Sequence, residues 1–556
     1  MKTLIIGGVA GGASAAARLR RLNENDEIII IERGEYVSFA NCGLPYFIGG
    51  EITDRNMLTL QTPESFRKRF NIEVRVRNDA VKISPKAHTI TVRDTDTGRE
   101  YDESFDKLIL SPGAEPILPD IKGINSPNVF TLRNIPDTIK IKEYMDTAKP
   151  KKAVVVGGGY IGVEMAENLV NAGLDVTIVE LADHLIAPLD ADMAAGVHRY
   201  IRSRGIKLYL NNGVTEITDN NVILQNGAVK ADMVIMSVGV RPETSLAKDC
   251  GITLNSRGSI IVSSRMQTNY PDIYAVGDAV EVKDFITGSP AFIPLAGPAN
   301  KQGRMAADNI SGIPSEYKGT QGSAVLKLFD MTVATTGLNE KRAKAEGIDY
   351  DKTYTYSASH ASYYPNAVNM SVKVLWDRNT HKLLGAQIVG FDGVDKRMDV
   401  LAAAIRFGAE VTDLKELELC YAPPFGSAKD PVNMVGFVAE NVINGTVKQF
   451  FWHDVEILPR DGSVTLLDVR TKTENARGMI DGFMNIPLDT LRDNIDKLPK
   501  DKPVYVHCHS GMRSYIACRI LTGKGYSCYN LAGGWRLYES VINDRTVPEY
   551  ICTECK

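Results

Sequence analysis

The sequence predicts an α/β chain with two Rossmann-like nucleotide-binding folds and additional smaller domains. Glycine-rich turns at residues 7–12 and 157–162 each follow a short apolar strand and lead into a helix, which is typical of nucleotide binding. A later strand that ends at Cys508 also leads into a helix and indicates a separate C-terminal α/β unit. The chain of 556 residues has room for about three or four domains.

The first nucleotide fold starts with a buried strand at residues 3–6. Small residues in the turn that follows let the backbone approach a pyrophosphate at a helix N-terminus. Val9 replaces the middle glycine of the G-x-G-x-x-G pattern, but Glu32 ends the next strand, where a carboxylate can accept hydrogen bonds from ribose hydroxyls. The candidate cofactor-binding residues of this fold are Gly7, Ala10, Gly11, Gly12 and Glu32.

A second piece of the same domain lies far downstream. Residues 268–278 read as an apolar strand that ends in Gly277 and Asp278. An aspartate at this place can accept hydrogen bonds from a ribityl chain, which points to FAD as the cofactor. We therefore expect Asp278 to bind FAD, and we expect a second domain to be inserted between the two pieces.

The second nucleotide fold carries the full fingerprint. Its strand at residues 153–156 is followed by Gly157, Gly159 and Gly162, and Glu180 ends the next strand at the spacing that the fingerprint requires. Glu180 would accept from a free 2′-hydroxyl and repel a 2′-phosphate, and residues 181–183 contain no arginine. These four residues predict an NAD site that prefers NADH, with NADPH left open.

A single cysteine, Cys42, lies in a loop just beyond the first nucleotide fold. The next cysteine is Cys250, so no local disulfide can form, and the partner sulfur must come from a substrate, a distant cysteine or oxygen chemistry. A cysteine is often a small buried core residue. The glycine, proline and asparagine around Cys42 indicate a loop instead, and they favour a redox role.

Composition narrows the choice of partners. The formal net charge of -4 gives no reason to expect binding to nucleic acid or to a membrane surface. Cysteines are few and scattered, which is typical of a reducing compartment, and there is neither a signal-peptide pattern nor a membrane-length apolar run. We therefore expect a cytoplasmic protein, and no metal site is predicted.

Residues 1–445 resemble the pyridine nucleotide–disulfide oxidoreductases. Ser38, Phe39, Cys42 and Gly43 are similar to the single-cysteine branch of that family, which includes coenzyme A disulfide reductases, NADH oxidases and NADH peroxidases. The oxidases and peroxidases have a histidine in the glycine turn, where this chain has Ala10. The resemblance therefore implies a sulfur substrate more than peroxide or oxygen.

The same resemblance implies a homodimer and a coenzyme A site. Residues 319–445 would form the dimerisation domain, and Tyr363 and Tyr421 would reach Cys42 of the other subunit, where a phenol can assist a leaving thiolate. Coenzyme A would enter as substrate or as a bound prosthetic group. The residues carried into its site are Ser14, Arg18, Arg21, Ser38, Asn41 and Arg69.

The C-terminal residues 456–545 resemble a rhodanese, the sulfurtransferase fold. A strand delivers Cys508 to a loop that ends with Arg513, and Gly533-Gly534-Trp535 follows later. Loop N–H groups, a helix N-terminus and the arginine suit a persulfide anion on Cys508. Cysteine phosphatases use the same kind of loop and are the main alternative for this domain alone.

The remaining cysteines carry little signal. Cys552 and Cys555 form a terminal C-x-x-C, which is consistent with a disordered tail, with half of a metal site, or with a thiol pair that relays or resolves sulfur. We assign the others to packing: Cys250, Cys420, Cys518 and Cys528.

Together these features predict the following domain boundaries: FAD-binding, 1–115 and 245–318; NAD-binding, 116–244; dimerisation, 319–445; linker, 446–455; rhodanese, 456–545; tail, 546–556. The predicted activity is NAD(P)H-dependent, FAD-dependent reduction of coenzyme A persulfide or polysulfide with release of hydrogen sulfide. Coenzyme A disulfide reduction is the first alternative. An NADH oxidase or peroxidase with a passenger rhodanese, or a redox sensor, remains open.

Overall fold

A computed structural model describes residues 1–547 of the chain. The chain divides into two compact units. The first joins Met1–Ala182 to Gly205–Gly322, and the second joins Asp183–Arg204 to the described residues from Ser323 onward. Among the described residues, no helix combines the length and apolar character needed to cross a membrane.

The first nucleotide fold is built on a five-stranded parallel sheet. The strand Glu27–Glu32 contains four consecutive isoleucines, all buried, because helices cover one face of the sheet and an antiparallel sheet covers the other. In spatial order the strands are Ile273–Ala275, Lys107–Leu110, Lys2–Ile6, Glu27–Glu32 and Glu73–Val76. The accompanying helices are Ala10–Leu22, Leu44–Gly49, Pro63–Phe70, Ser245–Asp249 and Ala296–Ile310.

An antiparallel sheet extends this domain, with strands Asn78–Ser84, Thr89–Asp94 and Glu100–Ser104. The strand Ile273–Ala275 pairs with Lys107–Leu110 although the two are far apart in sequence. This pairing carries Gly277 and Asp278 to the edge of the sheet where the glycine turn lies, because the carboxyl ends of parallel strands share one edge.

The second nucleotide fold repeats this plan. Its parallel strands, in spatial order, are Lys207–Tyr209, Asp175–Val179, Lys152–Val156, Met233–Met236 and Val129–Phe130. The helices Ile135–Ala148 and Tyr160–Asn171 accompany them. Short antiparallel strands complete the domain: Val214–Ile217, Asn221–Leu224 and Ala228–Lys230, with Ala114–Pro116 pairing with Val240–Pro242.

The second unit contains a five-stranded antiparallel sheet, with strands in the order Ala324–Leu328, Met331–Gly337, Leu383–Gly390, Asn369–Asp377 and Tyr350–Ala358. Its helices are Ala191–Ser203, Glu340–Ala345, Val394–Arg406 and Pro431–Ile443.

The helix Ala191–Ser203 falls inside the predicted NAD-binding boundaries, yet it packs in the second unit. A fully buried lysine explains this placement: Lys373 Nζ bonds Asp190 at 2.8 Å, Asp192 at 2.9 Å and Glu340 at 2.6 Å. A buried ammonium is tolerated only when it is paired in this way.

The C-terminal domain has a five-stranded parallel sheet. Its first strand, Lys448–Phe450, lies within the predicted linker but pairs with Cys528–Leu531 at the edge of this sheet. The other strands, in spatial order, are Val504–His507, Thr465–Asp468 and Met484–Asn485. The helices are Lys472–Ala476, Leu488–Leu491, Met512–Thr522 and Gly534–Thr546. These observations confirm the predicted α/β fold class.

Candidate active site

Cys42 occupies a short 3-10 turn, Asn41–Gly43, which leads directly into the helix Leu44–Gly49. The thiol is exposed to solvent. Partial enclosure by the surrounding chain nevertheless raises the pKa of Cys42, and the negative charges of Glu164 and Asp278 raise it further. The protein groups around Cys42 therefore disfavour the thiolate form of its side chain.

Two residues near Cys42 were not identified as functional from the sequence. Tyr46, one helical turn after Cys42, hydrogen-bonds Glu164 on the helix Tyr160–Asn171. Burial and the neighbouring Glu167 raise the pKa of Glu164 to about 7. Such a carboxyl group can exchange protons near neutral pH. No local pattern marks it, because the effect arises from segments that are far apart in the chain.

The first glycine turn is suited to a flavin nucleotide. A Cβ on Gly12 would lie 1.9 Å from the Gly7 carbonyl oxygen, so the helix can approach the turn closely only without a side chain. Within the described residues, no side chain caps the N-terminus of the helix Ala10–Leu22, whose N–H groups therefore face a prospective pyrophosphate.

The two carboxylates predicted to bind FAD, Glu32 and Asp278, differ in their hydrogen bonding. Glu32 accepts from the Gly8 N–H at 3.0 Å and the Gly34 N–H at 2.8 Å, so it braces the turn itself. The Asp278 carboxylate accepts no hydrogen bond from any residue in the range 1–547, and burial raises its pKa. A ribityl hydroxyl would supply the donor that Asp278 lacks, so these residues fit FAD.

The second glycine turn repeats this geometry. Glu180 accepts from the Gly158 N–H at 2.6 Å and the Ala182 N–H at 2.7 Å. A Cβ on Gly162 would lie 2.0 Å from the Gly157 carbonyl oxygen. Gly159 begins the helix without a side-chain cap from the described part of the chain. The predicted NAD residues therefore lie together at one helix N-terminus.

A pocket of about 340 Å³ lies beside the first glycine turn. Three predicted coenzyme A residues line it, together with polar groups that sequence reasoning missed. Its lining residues are Ala13, Ser14, Ala17, Arg21, Ser38, Gln61, Phe66, Phe70, Asn300 and Arg304.

The other predicted coenzyme A residues lie apart from this lining. Arg18 pairs with Asp308 at 2.6 Å, so its charge is already neutralised. Arg69 is exposed on the helix Pro63–Phe70. Asn41, next to Cys42, has a buried Oδ1 with no hydrogen-bond partner among residues 1–547, which leaves an acceptor for a ligand.

The predicted tyrosine pair lies in the second unit. The hydroxyl groups of Tyr363 and Tyr421 are 2.9 Å apart, and this hydrogen bond raises the pKa of Tyr363. Both side chains are exposed. Cys420, which we had assigned to packing, is exposed beside Tyr421, because its loop lies at the surface.

Cys508 is fully buried at the end of the strand Val504–His507. Its Sγ accepts hydrogen bonds from the Gly511 N–H at 3.1 Å and from the Ser514 hydroxyl at 3.2 Å. These two donors suit a sulfur that carries negative charge. Ser514 was not predicted to contribute.

The charge of Arg513 is shared with a carboxylate that the sequence did not reveal. Its guanidinium donates to both carboxylate oxygens of Glu474, at 2.7 and 2.6 Å. This pairing lowers the pKa of Glu474 to about 2. Arg513 therefore closes the loop from one side instead of pointing a free charge at the sulfur.

The Gly533-Gly534-Trp535 segment holds the back of the loop. The Trp535 N–H donates to the Cys508 carbonyl at 2.8 Å. Gly534 has a φ of +59°, and a Cβ there would lie 2.8 Å from that same carbonyl oxygen. A buried Asp468–Arg470 pair supports this contact, with the Arg470 guanidinium 4.5 Å from the Trp535 ring centre.

Cys518 and Cys528 are both buried in the core of this domain. Cys250 is half-buried, and its thiol donates to the Ala247 carbonyl oxygen at 3.2 Å. The terminal Cys552 and Cys555 lie outside the described residues.

Three family models match the chain. The pyridine nucleotide-disulphide oxidoreductase model covers residues 1–303, its dimerisation domain covers 323–431, and the rhodanese-like domain covers 453–540. Coenzyme A disulfide reductase from Staphylococcus haemolyticus is 37% identical over 443 residues, which are 79% of this chain and 100% of that protein.

Solved structures extend the similarity into the C-terminal domain. The reduced CoADR-RHD of Bacillus anthracis is 51% identical, covers 98% of both chains and has a TM-score of 0.96. The NAD-dependent persulfide reductase of A. fulgidus is 34% identical, covers 97% of this chain and 100% of that chain, and has a TM-score of 0.91.

These matches confirm the resemblance inferred from sequence. The chain belongs to the pyridine nucleotide–disulphide oxidoreductases, in the branch that includes coenzyme A disulfide reductases, and it carries a C-terminal rhodanese-like domain.

Proposed function

We propose that this enzyme uses NADH to reduce sulfane sulfur carried as coenzyme A persulfide or polysulfide, and that it releases hydrogen sulfide. One observation carries the proposal: a single chain contains both a rhodanese loop around Cys508 and the lone Cys42, which follows by four residues Ser38 of a pocket lined by basic side chains. The similarity to a persulfide reductase over both parts supports it.

The pocket suits coenzyme A chemically. Arg21 and Arg304 line it and offer positive charge to phosphate groups, and Ser38 offers a hydroxyl group. Ser14 donates its hydroxyl hydrogen to Asn300 at 2.6 Å, so it orders the pocket wall. Ser38 lies four residues before Cys42, so a ligand in this pocket can direct its thiol end toward that sulfur.

The sulfur step balances as a thiol–disulfide exchange. The Cys42 thiolate attacks the inner sulfur of coenzyme A persulfide, forms a mixed Cys42–coenzyme A disulfide and expels hydrosulfide. Two electrons then split that disulfide into two thiolates. A nearby acid would protonate the thiolate that leaves. Tyr363 and Tyr421, from the second subunit of a homodimer, are the candidates for this acid.

Bound FAD would supply the two-electron chemistry that connects the nicotinamide to the sulfur. Gly7, Gly11, Gly12, Glu32 and Asp278 would hold it. The residues for NADH are Gly157, Gly159, Gly162 and Glu180, and the acid at Glu180 favours a free 2′-hydroxyl. A kinetic comparison in which NADPH is the better donor would overturn this preference.

The rhodanese loop would bind the sulfane sulfur and transfer it. Cys508 accepts a sulfur atom from a donor persulfide or releases one to coenzyme A, with Gly511, Ser514 and Arg513 around it. Fusion in one chain raises the effective concentration of each site for the product of the other. In plain coenzyme A disulfide reduction this domain would be idle, although the curated relatives favour that reaction as the second candidate.

Steady-state NADH oxidation by the holoenzyme tests the proposal. We expect turnover with coenzyme A persulfide or polysulfide, stoichiometric hydrogen sulfide, and no comparable turnover with hydrogen peroxide or air. Cys508→Ser should lower polysulfide turnover. Unchanged polysulfide turnover would refute the sulfur relay, and activity with coenzyme A disulfide alone would favour the second candidate.

A further inference from the structure

The tyrosine pair is carried by two surface loops, residues 359–365 and 420–426, which we call the tyrosine loops. Tyr363 is 74% exposed and Tyr421 is 49% exposed, so packing of the rings does little to fix them. Their hydroxyl groups nevertheless lie 2.9 Å apart. The position of the pair must therefore be set by whatever holds the two loops.

Arg397 bonds to both tyrosine loops. Its side chain is only 2% exposed. Nη2 donates to the Ser359 carbonyl oxygen at 2.8 Å and to the Phe425 carbonyl oxygen at 3.4 Å. One guanidinium thus bonds the start of the first loop and the end of the second.

The guanidinium is itself fixed from the opposite side. Nε and Nη2 of Arg397 donate to one carboxylate oxygen of Asp430 at 3.2 and 2.9 Å. Asp430 also caps the next helix by accepting from the Val432 N–H at 3.0 Å. Nη1 donates to the Gly393 carbonyl oxygen at 3.2 Å, and a Cβ on Gly393 would lie 2.2 Å from Nη1.

A direct bond joins the tyrosine loops as well, since the Ala361 N–H donates to the Pro423 carbonyl oxygen at 3.3 Å. We propose that Arg397 is the positioning residue of the tyrosine pair: it sets the separation and direction of the two hydroxyl groups without touching the reacting sulfur. This inference rests on the proposed function. Lysine cannot replace the planar fork, because one ammonium cannot reach both carbonyls and the carboxylate.

The test is a double-mutant cycle on the holoenzyme with coenzyme A disulfide as the probe. Tyr421→Phe should lower kcat roughly 100-fold, and Arg397→Lys should lower it about 10- to 100-fold. If Arg397 acts through the tyrosines, the double variant is no slower than the slower single variant. Losses that multiply would overturn the inference.

A second readout separates positioning from general damage. Ferricyanide reduction by NADH takes electrons before the sulfur step, so Arg397→Lys should leave its rate within about two-fold. Asp399→Asn, at an exposed position of the same helix, is the control and should leave both reactions unchanged. An equal fall of both reactions in Arg397→Lys would also overturn the inference.

Should Arg397→Lys fail to fold, Asp430→Asn takes its place in the cycle, because asparagine is also a good helix cap but lacks the charge that fixes the guanidinium. Losses of kcat that multiply when Asp430→Asn is combined with Tyr421→Phe would likewise overturn the inference. If Tyr421→Phe itself leaves kcat unchanged, the proposed role of the tyrosines is wrong. If Tyr421→Phe is slow but the Arg397 variant is not, only the positioning inference is wrong.

Discussion

The two sulfur centres differ in how their surroundings receive negative charge. Cys508 Sγ accepts from the Gly511 N–H at 3.1 Å and the Ser514 hydroxyl at 3.2 Å, all within one loop and the helix that follows it. At Cys42, enclosure and the carboxylates of Glu164 and Asp278 raise the thiol pKa. The donors that face Cys508 Sγ thus come from its own loop and the helix after it, whereas Cys42 depends on a cofactor, a substrate or a second subunit to stabilise its thiolate.

Exchanging each cysteine for serine tests this independence and has the largest expected effect. Cys42→Ser should lower NADH-dependent coenzyme A disulfide reduction by more than about 1,000-fold, because the attacking sulfur is lost. The same variant should keep sulfur transfer from thiosulfate to cyanide within about two-fold. Cys508→Ser should show the converse pattern. Each variant is the control of the other, and loss of both activities in either one would contradict two separable centres.

Filling the space behind the Cys508 loop should have the next largest effect. Gly534→Ala places a Cβ 2.8 Å from the Cys508 carbonyl oxygen and the Ser510 nitrogen. The loop must shift, and a displacement of about 1 Å can cost roughly 100-fold in rate. We expect that loss in thiosulfate-to-cyanide transfer, with coenzyme A disulfide reduction unchanged.

Gly525→Ala provides a matched control in the same domain. Gly525 also has a positive φ, +89°, but its Cβ would meet no described atom within 4 Å. Both substitutions carry the left-handed backbone strain, and only Gly534→Ala distorts the catalytic loop. Equal loss of sulfur transfer in the two variants would show that strain, and not the contact with Cys508, is responsible.

The same contrast explains what could be predicted from the sequence. The glycine turns, their terminal acids and the Cys508 loop are contiguous patterns, so the fold class and the loop could be inferred directly. Glu474, which neutralises Arg513, lies 39 residues away from it, and Glu164 lies on another domain's helix. Such partners come together only through tertiary packing, which single-sequence patterns do not encode.

Arg18 and the linker show the same limit. The family resemblance implies that Arg18 lies with Arg21 in the coenzyme A site, but Asp308, 290 residues away, binds the Arg18 guanidinium. The aromatic and charged residues after 448 looked like a linker, yet Lys448–Phe450 completes the edge of a parallel sheet. In both cases a segment far away in the sequence determines the contacts of the residue or strand, and the local pattern does not contain that segment.

Removing one of the negative charges near Cys42 should change the reactivity of its thiol, with a smaller effect than the substitutions above. Glu164 has a pKa of about 7, so it is ionised above that pH and then raises the pKa of Cys42. Glu164→Gln should therefore increase the rate at which iodoacetamide alkylates the NADH-reduced enzyme at pH 8, by roughly three- to ten-fold. Near pH 5 the difference should vanish, because Glu164 is then protonated in the wild type.

Glu143→Gln, at an exposed position in the same unit, serves as the control and should leave alkylation unchanged at both pH values. A rate increase in Glu164→Gln of the same size at pH 5 and pH 8 would mean that a change in shape, and not the lost charge, is responsible. In that case the loss of the Tyr46 hydrogen bond would be the better explanation.

The smallest expected effect concerns the ion pair that closes the Cys508 loop. Arg513 lowers the pKa of Glu474 from 4.5 to about 2, so the pair stabilises the fold above about pH 4.5, and this contribution is lost as pH falls toward 2. Because both side chains are about one third exposed, solvent screening reduces the effect to about 1 kcal/mol. Glu474→Gln should lower the urea midpoint at pH 7, and this deficit should shrink by about half near pH 3 and vanish as the pH approaches 2. Asp501→Asn, on the exposed surface, should follow the wild type throughout. If the Glu474→Gln deficit is as large at pH 3 as at pH 7, charge pairing is not its cause, and packing of the side chain against the loop must be.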